Sequence, residues 1–230
     1  MQKLKVHSIF ESISGEAGGF PQGSWCTFIR LSGCNFNPGC YWCDTPEARQ
    51  GTDYKEYAPS ELLIQCRTKR VLITGGEPLV QREGLIELIN LLLEYGHSVQ
   101  VETNGSFAIP ITFPPVSWVI DYKCLSSGVS RKMRELDFLA DNIHELRDDG
   151  NTIHLKWVVA GKTDVVFAIA RMMELRQIIG HPYLGPHIIS PINADGTWID
   201  EIVAEIKRAS PNLLDNIIFS VQLHKIVRMP

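Results

Sequence analysis

Short apolar runs rich in β-branched residues alternate with longer helical patterns along most of the chain, and this alternation restricts the possible folds more than any other feature of the sequence. The predicted strands are residues 25–31, 71–74, 99–103, 118–123, 153–159, 187–190 and 217–222. The predicted helices are residues 60–68, 83–95, 164–179 and 198–209, with a further candidate at 130–146. Strands that alternate with helices form βαβ units, so we predict an α/β fold with a mainly parallel sheet covered by helices.

Length and charge limit the architecture and the partners. The chain has 230 residues and no linker-like stretch, whereas a complete eightfold β/α barrel needs about 250 residues, so we predict one domain over residues 1–230 and no full barrel. The formal charge is -4 without a block of like charge, which predicts a partner that is neither nucleic acid nor a membrane. The sequence shows neither a secretory signal nor an apolar run of membrane-spanning length, and we expect a cytoplasmic protein.

Residues typical of ligand-binding loops follow four of the predicted strands. The carboxyl ends of parallel strands gather ligands, because loops converge there and helix N-termini offer unpaired amide donors. The four segments are Thr74-Gly75-Gly76-Glu77-Pro78, Glu102-Thr103-Asn104-Gly105, Asp121-Tyr122-Lys123 and Ser190-Pro191-Ile192-Asn193. We expect them to meet at one mouth of the fold.

Three of the six cysteines, Cys34, Cys40 and Cys43, lie within ten positions, and this clustering indicates metal ligation. Three thiolates leave a structural zinc site one ligand short, although His7 or His224 could supply the fourth. An iron–sulfur cluster held by only three thiolates would leave one iron open to a substrate or cofactor. Reactive thiols without a metal are the third possibility, and the residues alone leave all three open.

The cysteine cluster and the Gly-Gly-Glu-Pro loop that follows it resemble the radical S-adenosylmethionine (SAM) enzymes. Their usual spacing is Cys-x3-Cys-x2-Cys, whereas this chain has Cys-x5-Cys-x2-Cys, so its first loop is two residues longer. Within that superfamily the chain is similar from end to end to the 7-carboxy-7-deazaguanine synthase family of queuosine biosynthesis. The matching blocks are Ile9-Phe10-Glu11-Ser12-Ile13-Ser14-Gly15-Glu16, Phe28-Ile29-Arg30-Leu31-Ser32-Gly33-Cys34, Cys43-Asp44-Thr45, Thr74-Gly75-Gly76-Glu77-Pro78, Glu102-Thr103-Asn104-Gly105, and Gln222-Leu223-His224-Lys225 with Pro230.

The resemblance implies a fold and a set of cofactors. The fold would be a modified, incomplete (β/α) barrel of the radical SAM type with a mainly parallel sheet. Cys34, Cys40 and Cys43 would hold a 4Fe–4S cluster as thiolates of lowered pKa, with SAM on the remaining iron. The residues implied to bind SAM are Gly76, Glu102, Asp121, Tyr122, Lys123, Ser190, Pro191, Ile192 and Asn193. Thr45 would coordinate Mg²⁺ through its hydroxyl.

The resemblance also implies the reaction, in which 6-carboxy-5,6,7,8-tetrahydropterin becomes 7-carboxy-7-deazaguanine with loss of ammonia after a SAM-derived radical removes hydrogen from C6. The residues implied to bind the substrate are Ile13, Ser14, Gly15, Glu16, Arg30, Thr74, His224 and Pro230. The guanidinium of Arg30 suits the substrate carboxylate. Glu16 and the terminal carboxylate of Pro230 could accept the N–H groups of the aminopyrimidinone edge. No residue is assigned as a catalytic acid or base.

The resemblance further implies a homodimer and an electron-donor protein as partners. Two alternative functions remain at the level of sequence. One is a radical SAM activase that places a glycyl radical on a partner protein, and the other is a non-enzymatic interaction module stabilised by zinc. Iron content separates the zinc module from both enzymes, because only they require a cluster.

Overall fold

The computed structural model describes residues 2–109, 116–148, 150–180, 186–192, 199–209 and 211–229, apart from the side chains of residues 148 and 211. The strands are β1 Leu4–Ile13, β2 Trp25–Leu31, β3 Lys55–Tyr57, β4 Arg70–Gly75, β5 Ser98–Thr103, β6 Ser117–Asp121, β7 Thr152–Val159, β8 His187–Pro191 and β9 Ile217–Phe219. The helices are α1 Pro46–Gln50, α2 Pro59–Gln65, α3 Arg82–Glu94, α4 Leu136–Asp148, α5 Lys162–Ile179, α6 Ile199–Ala209 and α7 Leu223–Ile226. Asn193, Trp198 and Pro230, which carried predictions, lie outside the described residues.

The nine strands found in the described residues form a single sheet in the order β3-β1-β2-β4-β5-β6-β7-β8-β9. Every neighbouring pair from β2 to β9 is parallel, whereas β1 runs antiparallel to both β2 and β3. Within the described residues, β3 and β9 are the two edge strands, each paired on one side only, so the sheet is open. This architecture confirms the prediction of an incomplete (β/α) barrel with a mainly parallel sheet.

The structure differs from the predicted elements at both ends of the sheet and in one candidate helix. The strand β1 was not predicted, because polar residues interrupt its apolar positions, and its long antiparallel pairing with β2 supplies what the local pattern lacks. The last strand ends at Phe219, three residues before its predicted end. The candidate helix at 130–146 is a single 3-10 turn, Ser130–Lys132, followed by α4.

Side-chain alternation along the parallel strands separates the main core from an inner surface. On β4, for example, Val71 and Ile73 belong to the main core, whereas Leu72 joins a small second cluster and Thr74 lines a cavity. The helices cover the main core, and α3 contributes residues at helical spacing that are fully buried: Leu85, Leu88, Ile89 and Leu92. Among the described residues, no helix is both long and apolar enough to cross a membrane.

Candidate active site

A cavity opens where the parallel strands end, and side chains from five of them line it. These side chains are Phe28 and Arg30 of β2, Leu72 and Thr74 of β4, Glu102 of β5, Val119 and Asp121 of β6, and Lys156 and Val158 of β7. These are alternate residues, as the two-residue period of a strand requires, and Thr103 at the end of β5 also borders the cavity. The cavity therefore brings together the strand-end segments that the sequence predicted to meet.

The cysteine loop enters the cavity directly after β2, and the thiol-bearing residues Cys34, Cys40 and Cys43 all line it. The start of the loop is fixed by its main chain, since Gly33 N donates to Ala48 O at 2.7 Å and Cys34 N donates to Arg49 O at 3.1 Å. Within the described part of the chain, no three His, Cys, Asp or Glu side chains converge on a point where they could hold one metal ion. An iron–sulfur cluster takes each thiolate on a different iron, so its three cysteine ligands need not converge on one point.

The lengthened first loop, residues 35–39, is anchored at both ends. Lys132 Nζ donates to Asn37 O at 2.7 Å and to Pro38 O at 3.1 Å. Asn35 accepts from Asn104 Nδ2 at 2.9 Å, which ties the loop to the segment after β5. Phe36 is buried and lines the cavity. The two additional residues are thus accommodated by contacts with the rest of the chain.

In the metal-free protein, the pKa of the Cys34 and Cys40 thiols is not lowered. Burial raises the pKa of both Cys34 and Cys40, and the nearby charges of Lys123 only partly oppose it. Lowered thiol pKa values are expected of the cluster-bound protein, whereas desolvation of the loop dominates in the absence of the cluster. Iron must therefore displace protons that the metal-free protein retains.

Glu77, to which the sequence assigned no role, joins the loops that follow β4 and β5. It is 1% exposed and accepts hydrogen bonds from Leu79 N at 3.0 Å, Thr103 Oγ1 at 2.7 Å and Asn104 N at 2.7 Å. Burial raises the pKa of this carboxyl, although the three donors oppose the shift. A glutamate flanked by Gly-Gly and Pro at a strand end is the sequence signal that could have identified it.

The residues predicted to bind SAM fall into two groups. Gly76, Glu102, Asp121, Lys123 and Ile192 line the cavity. Glu102 accepts from Thr74 Oγ1 at 3.1 Å, and burial raises the pKa of its carboxyl. Lys123 Nζ lies 2.8 Å from Asp121 Oδ2, while the buried Asp121 Oδ1 has no hydrogen-bond partner among the described residues.

The second group does not line the cavity. Tyr122 points to the other side of the sheet, where its ring packs on Trp157 and Phe167, because it lies one residue out of phase with Asp121 and Lys123. Ser190 and Pro191 are buried at the end of β8, and Ser190 Oγ has no partner among the described residues. Asn193 is outside the described residues.

Among the residues predicted to bind substrate, Glu16 has the most extensive contacts. Its Oε2 forms an ion pair with Lys156 Nζ, and its Oε1 accepts from Gln222 Nε2 at 2.9 Å. Lys156 and Gln222 also line the cavity, and the sequence had assigned no role to either. The sequence signal that could have identified Lys156 is a lysine in the stretch Ile153 to Val159, in which every other residue except His154 is apolar.

Arg30 lines the cavity and is not a surface residue of its strand. Its guanidinium carbon lies 5.2 Å from the ring centroid of Phe10, which in turn stacks on Phe28 at 5.0 Å. The buried Nε of Arg30 has no hydrogen-bond partner within the described chain. A buried guanidinium donor without an acceptor suits an anionic ligand.

The loop after β1 and helix α7, with Gln222 just before it, form the remaining wall. Leu223 N donates to Gly15 O at 2.8 Å, and the ring of His224 lies so close to Gly15 that a Cβ there would be 1.7 Å from Nδ1. Burial lowers the pKa of His224. Ile13 and Ser14 lie outside the cavity lining, and Pro230 is outside the described residues.

Thr45 lines the cavity two residues after Cys43. It occupies the N-cap position of α1, where a threonine hydroxyl usually accepts from the main chain, yet it makes no such bond. Its Oγ1 lies 3.9 Å from Cys43 Sγ. The hydroxyl is therefore not required for capping the helix.

Comparison with known proteins identifies the family. Residues 28–109 match the model of the Radical SAM superfamily. A 7-carboxy-7-deazaguanine synthase of Methanospirillum hungatei is 35% identical over 99% of this chain and 86% of that protein, and one of Clostridium acetobutylicum is 31% identical over 98% and 96%. The crystal structure of QueE from Escherichia coli, at 20% identity, shares the fold with a TM-score of 0.66 over 96% of this chain and 94% of that one.

The superfamily implies a 4Fe–4S cluster and SAM as cofactors, and the three cavity-lining cysteines fit that requirement. The zinc-stabilised interaction module is thereby excluded in favour of an enzyme. The chain belongs to the 7-carboxy-7-deazaguanine synthase family of radical SAM enzymes.

Proposed function

We propose that this radical SAM enzyme of the queuosine pathway converts 6-carboxy-5,6,7,8-tetrahydropterin to 7-carboxy-7-deazaguanine with loss of ammonia. The observation that carries the proposal is one cavity that combines three thiols with an unpartnered Arg30 donor and the carboxylate of Glu16. An activase that acts on a peptide would have no need for this enclosed set of charges, so the small substrate is the better fit.

On this proposal, Cys34, Cys40 and Cys43 hold the cluster. When bound, the cluster and SAM supply the radical chemistry that starts the rearrangement. The SAM-binding surface comprises Gly76, Glu102, Asp121, Lys123 and Ile192, with the main chain of residues 122 and 190–193. Glu102 offers an acceptor for a hydroxyl, and the unpartnered Asp121 Oδ1 offers a second acceptor.

Arg30 binds the substrate carboxylate, because its guanidinium is the cavity cation with a donor still unpartnered within the described chain. Phe10 and Phe28 support it and exclude water from that side. Glu16 accepts N–H groups of the pterin edge with the lone pairs that Gln222 and Lys156 leave unused. Thr74, His224, Pro230 and the main chain of residues 13–15 complete the proposed substrate site.

A magnesium ion bound to the Thr45 hydroxyl is part of the proposal. The hydroxyl lines the cavity and is not used as a helix cap, which leaves it able to coordinate a hard cation that retains several waters. Such an ion would stabilise negative charge on the substrate during the rearrangement. Removal of Mg²⁺ with a chelator is expected to lower the turnover of pterin without loss of iron.

The proposal also covers partners and compartment. All six cysteines are described and are free thiols, which fits a reducing cytoplasm. The chain would receive its electron from a donor protein and would act as a homodimer formed of single radical SAM domains over residues 1–230. Light scattering of the purified protein tests the homodimer.

The proposed reaction is tested with protein reconstituted anaerobically and supplied with SAM, a reductant, Mg²⁺ and the pterin. We expect 7-carboxy-7-deazaguanine and released ammonia in equal amounts. The Arg30→Met variant is expected to raise the KM for the pterin while it retains iron and SAM binding, and Arg82→Met, an exposed arginine that donates to Ala108 O, serves as the control. A fully loaded wild-type protein that forms no product would disprove the substrate assignment.

A further inference from the structure

Lys156 is a cation that lines the cavity but belongs to none of the sequence blocks that match the family. It lies in the middle of β7, and its side chain is 11% exposed. The register of the sheet pairs it with Asp121 of β6, and its Nζ lies 4.0 Å from Asp121 Oδ2. Its direct ion-pair partner, however, is Glu16 from the loop after β1.

The charges around Lys156 divide into two pairs. Lys123 Nζ approaches Asp121 Oδ2 at 2.8 Å, closer than Lys156 does, so Lys123 is the principal partner of Asp121. Lys156 is the cation of Glu16. Burial alone would lower the pKa of Lys156, but the carboxylates of Glu16, Asp121 and Glu102 outweigh burial and raise it, so the ammonium stays charged.

Glu16 is held from its other side by the C-terminal segment. Gln222 Nε2 donates to Glu16 Oε1 at 2.9 Å, and Lys225 Nζ donates to Gln222 Oε1 at 2.5 Å. One continuous chain of polar contacts therefore runs from β7 through Glu16 to α7. Without Lys156 this chain would leave the carboxylate of Glu16, itself only 11% exposed, with no cation in contact among the described residues.

We propose that Lys156 is a positioning residue for the substrate: its ammonium fixes the Glu16 carboxylate so that the remaining lone pairs meet the N–H donors of the pterin edge. The inference rests on the proposed function and adds to it a residue that touches Glu16 and not the reacting atoms. Lys156 therefore governs recognition of the substrate, and it leaves the cysteines and their iron unaffected.

The test compares Lys156→Met, Lys156→Arg, Glu16→Gln and the double variant Lys156→Met/Glu16→Gln as reconstituted holoenzymes. Lys156→Met is expected to raise the KM for the pterin by about 30-fold or more, with a smaller effect on kcat and with unchanged iron content and SAM affinity. Lys156→Arg is expected to recover much of this loss. The double variant is expected to have the KM of Glu16→Gln alone, because a neutral amide at position 16 needs no cation.

The matched control is Lys162→Met, which removes an exposed lysine outside the cavity lining whose partner Glu205 keeps its contact with Arg208, and it is expected to leave the KM unchanged. If Lys156→Met fails to fold because it strands a buried carboxylate, the comparison of the double variant with Glu16→Gln carries the test. A wild-type KM in Lys156→Met, or effects at positions 16 and 156 that multiply, would overturn the inference while the wild-type enzyme still makes product. A wild-type enzyme that makes no product would instead overturn the proposed function and the inference with it.

Discussion

Gly76 is the residue at which two loops of the site come into main-chain contact. Its N–H donates to Leu31 O at 3.0 Å, and the next residue, Glu77, donates its N–H to Gly33 O at 2.8 Å. A Cβ at position 76 would lie 2.0 Å from Gly33 O and 2.9 Å from Cys34 N. The glycine is therefore required by the approach of the cysteine loop, whatever it also contributes to SAM binding.

The Gly76→Ala variant is expected to be less stable because the clash involves main-chain atoms, which cannot rotate away. We expect the free energy of unfolding of the metal-free protein to fall by about 1–3 kcal/mol, measured by urea denaturation under anaerobic conditions. The comparison variant is Gly84→Ala in α3, where the new Cβ would lie 3.0 Å from the Leu4 side chain and 3.3 Å from Gln2 O, much farther than the 2.0 Å contact at position 76, and helix propensity favours the alanine. Equal stability of Gly76→Ala and wild type would contradict this account.

His187 predicts a pH dependence of stability. It is fully buried on β8, where Trp157 Nε1 donates to its Nδ1 at 3.2 Å, and burial lowers its pKa to about 4. The pKa of His187 in the folded protein lies below the ordinary value of 6.5. As the pH falls from about 6.5 to about 4, the imidazole therefore binds a proton in the unfolded chain but not in the folded one. Up to about 3 kcal/mol of stability is therefore lost across this window.

The measurement compares the free energy of unfolding of wild type and His187→Gln between pH 4 and pH 7, a range of about 3 units that spans the titration. The glutamine can accept from Trp157 but does not titrate, so its stability is expected to fall less steeply toward low pH. The substitution of the exposed His144 by Gln is the control and should leave the contribution of His187 in place. Parallel curves for wild type and His187→Gln would rule out the role of His187.

At this scale, the sequence could predict that residues of contiguous motifs, such as the three cysteines, Glu102 and Thr45, line one cavity, and their roles stay predictions. It could not predict Lys156, because its partners come from β6 and from the loop after β1, and only the sheet register brings them together. The placement of Tyr122 in the core also depends on strand phase. A resemblance between motifs carries no information on which of two successive residues faces the cavity.

Among the elements, the cysteine loop shows how a departure from the family spacing is accommodated. Its carbonyl groups at Asn37 and Pro38 accept from Lys132, at the end of the 3-10 turn Ser130–Lys132. On the other side Gly39 lies against Arg49 of α1, where a Cβ would be 2.3 Å from Arg49 Cδ. The loop is thus held between two segments that are distant in sequence.

The Lys132→Met variant is expected to loosen this loop and so to weaken the retention of iron. Contacts that orient ligand-bearing segments typically change metal affinity by tenfold or more, so we expect the reconstituted variant to lose iron to a chelator about tenfold faster. Its exposed neighbour Arg131, changed to Met, is the control. Identical rates of iron loss for Lys132→Met and wild type would show that the lysine contacts do not support the cluster loop.

The positions of the buried strands could be predicted from the sequence more closely than those of the partly exposed strands. Strands β4 to β8 are largely buried on both faces and rich in β-branched residues, so their positions were predicted closely. The strand β1 has many half-buried positions, and β3 has three residues, so neither shows a clear local pattern. Their pairing is decided by contacts with β2 and with each other, which no short sequence window contains.

At the scale of the whole molecule, separate parts of the open sheet are linked across its inner surface. The loop between β1 and β2 reaches the inner faces of β5 and β6, where Phe20 N donates to Gln100 Oε1 at 2.9 Å and a Cβ on Gly19 would meet Ser117 at 2.1 Å. The same loop contacts the segment after β9, since Ala17 N donates to Ser220 Oγ at 2.9 Å and Gln22 Nε2 donates to Val221 O at 2.5 Å. It therefore connects the two halves of an open sheet across its interior.

This connection predicts that the C-terminal segment is required for catalysis and not for the sheet. A chain truncated after Val221 loses Gln222, His224 and Lys225, all of which line the cavity, but retains every strand. We expect its iron content and SAM affinity to match wild type and its turnover of the pterin to fall by about 100-fold or more, because Glu16 loses the support that orients it.

The truncation is compared with Ile226→Ser, which changes an exposed residue of the same segment and is expected to be fully active. Iron analysis and SAM binding decide between two explanations for lost activity. If the truncated chain retains both but makes no product, the segment acts at the substrate, as the contacts of Gln222 and His224 require. If it loses iron as well, the segment instead supports the fold around the cysteine loop. Our inference that residues 222–225 act on the substrate and not on the cluster would then be wrong.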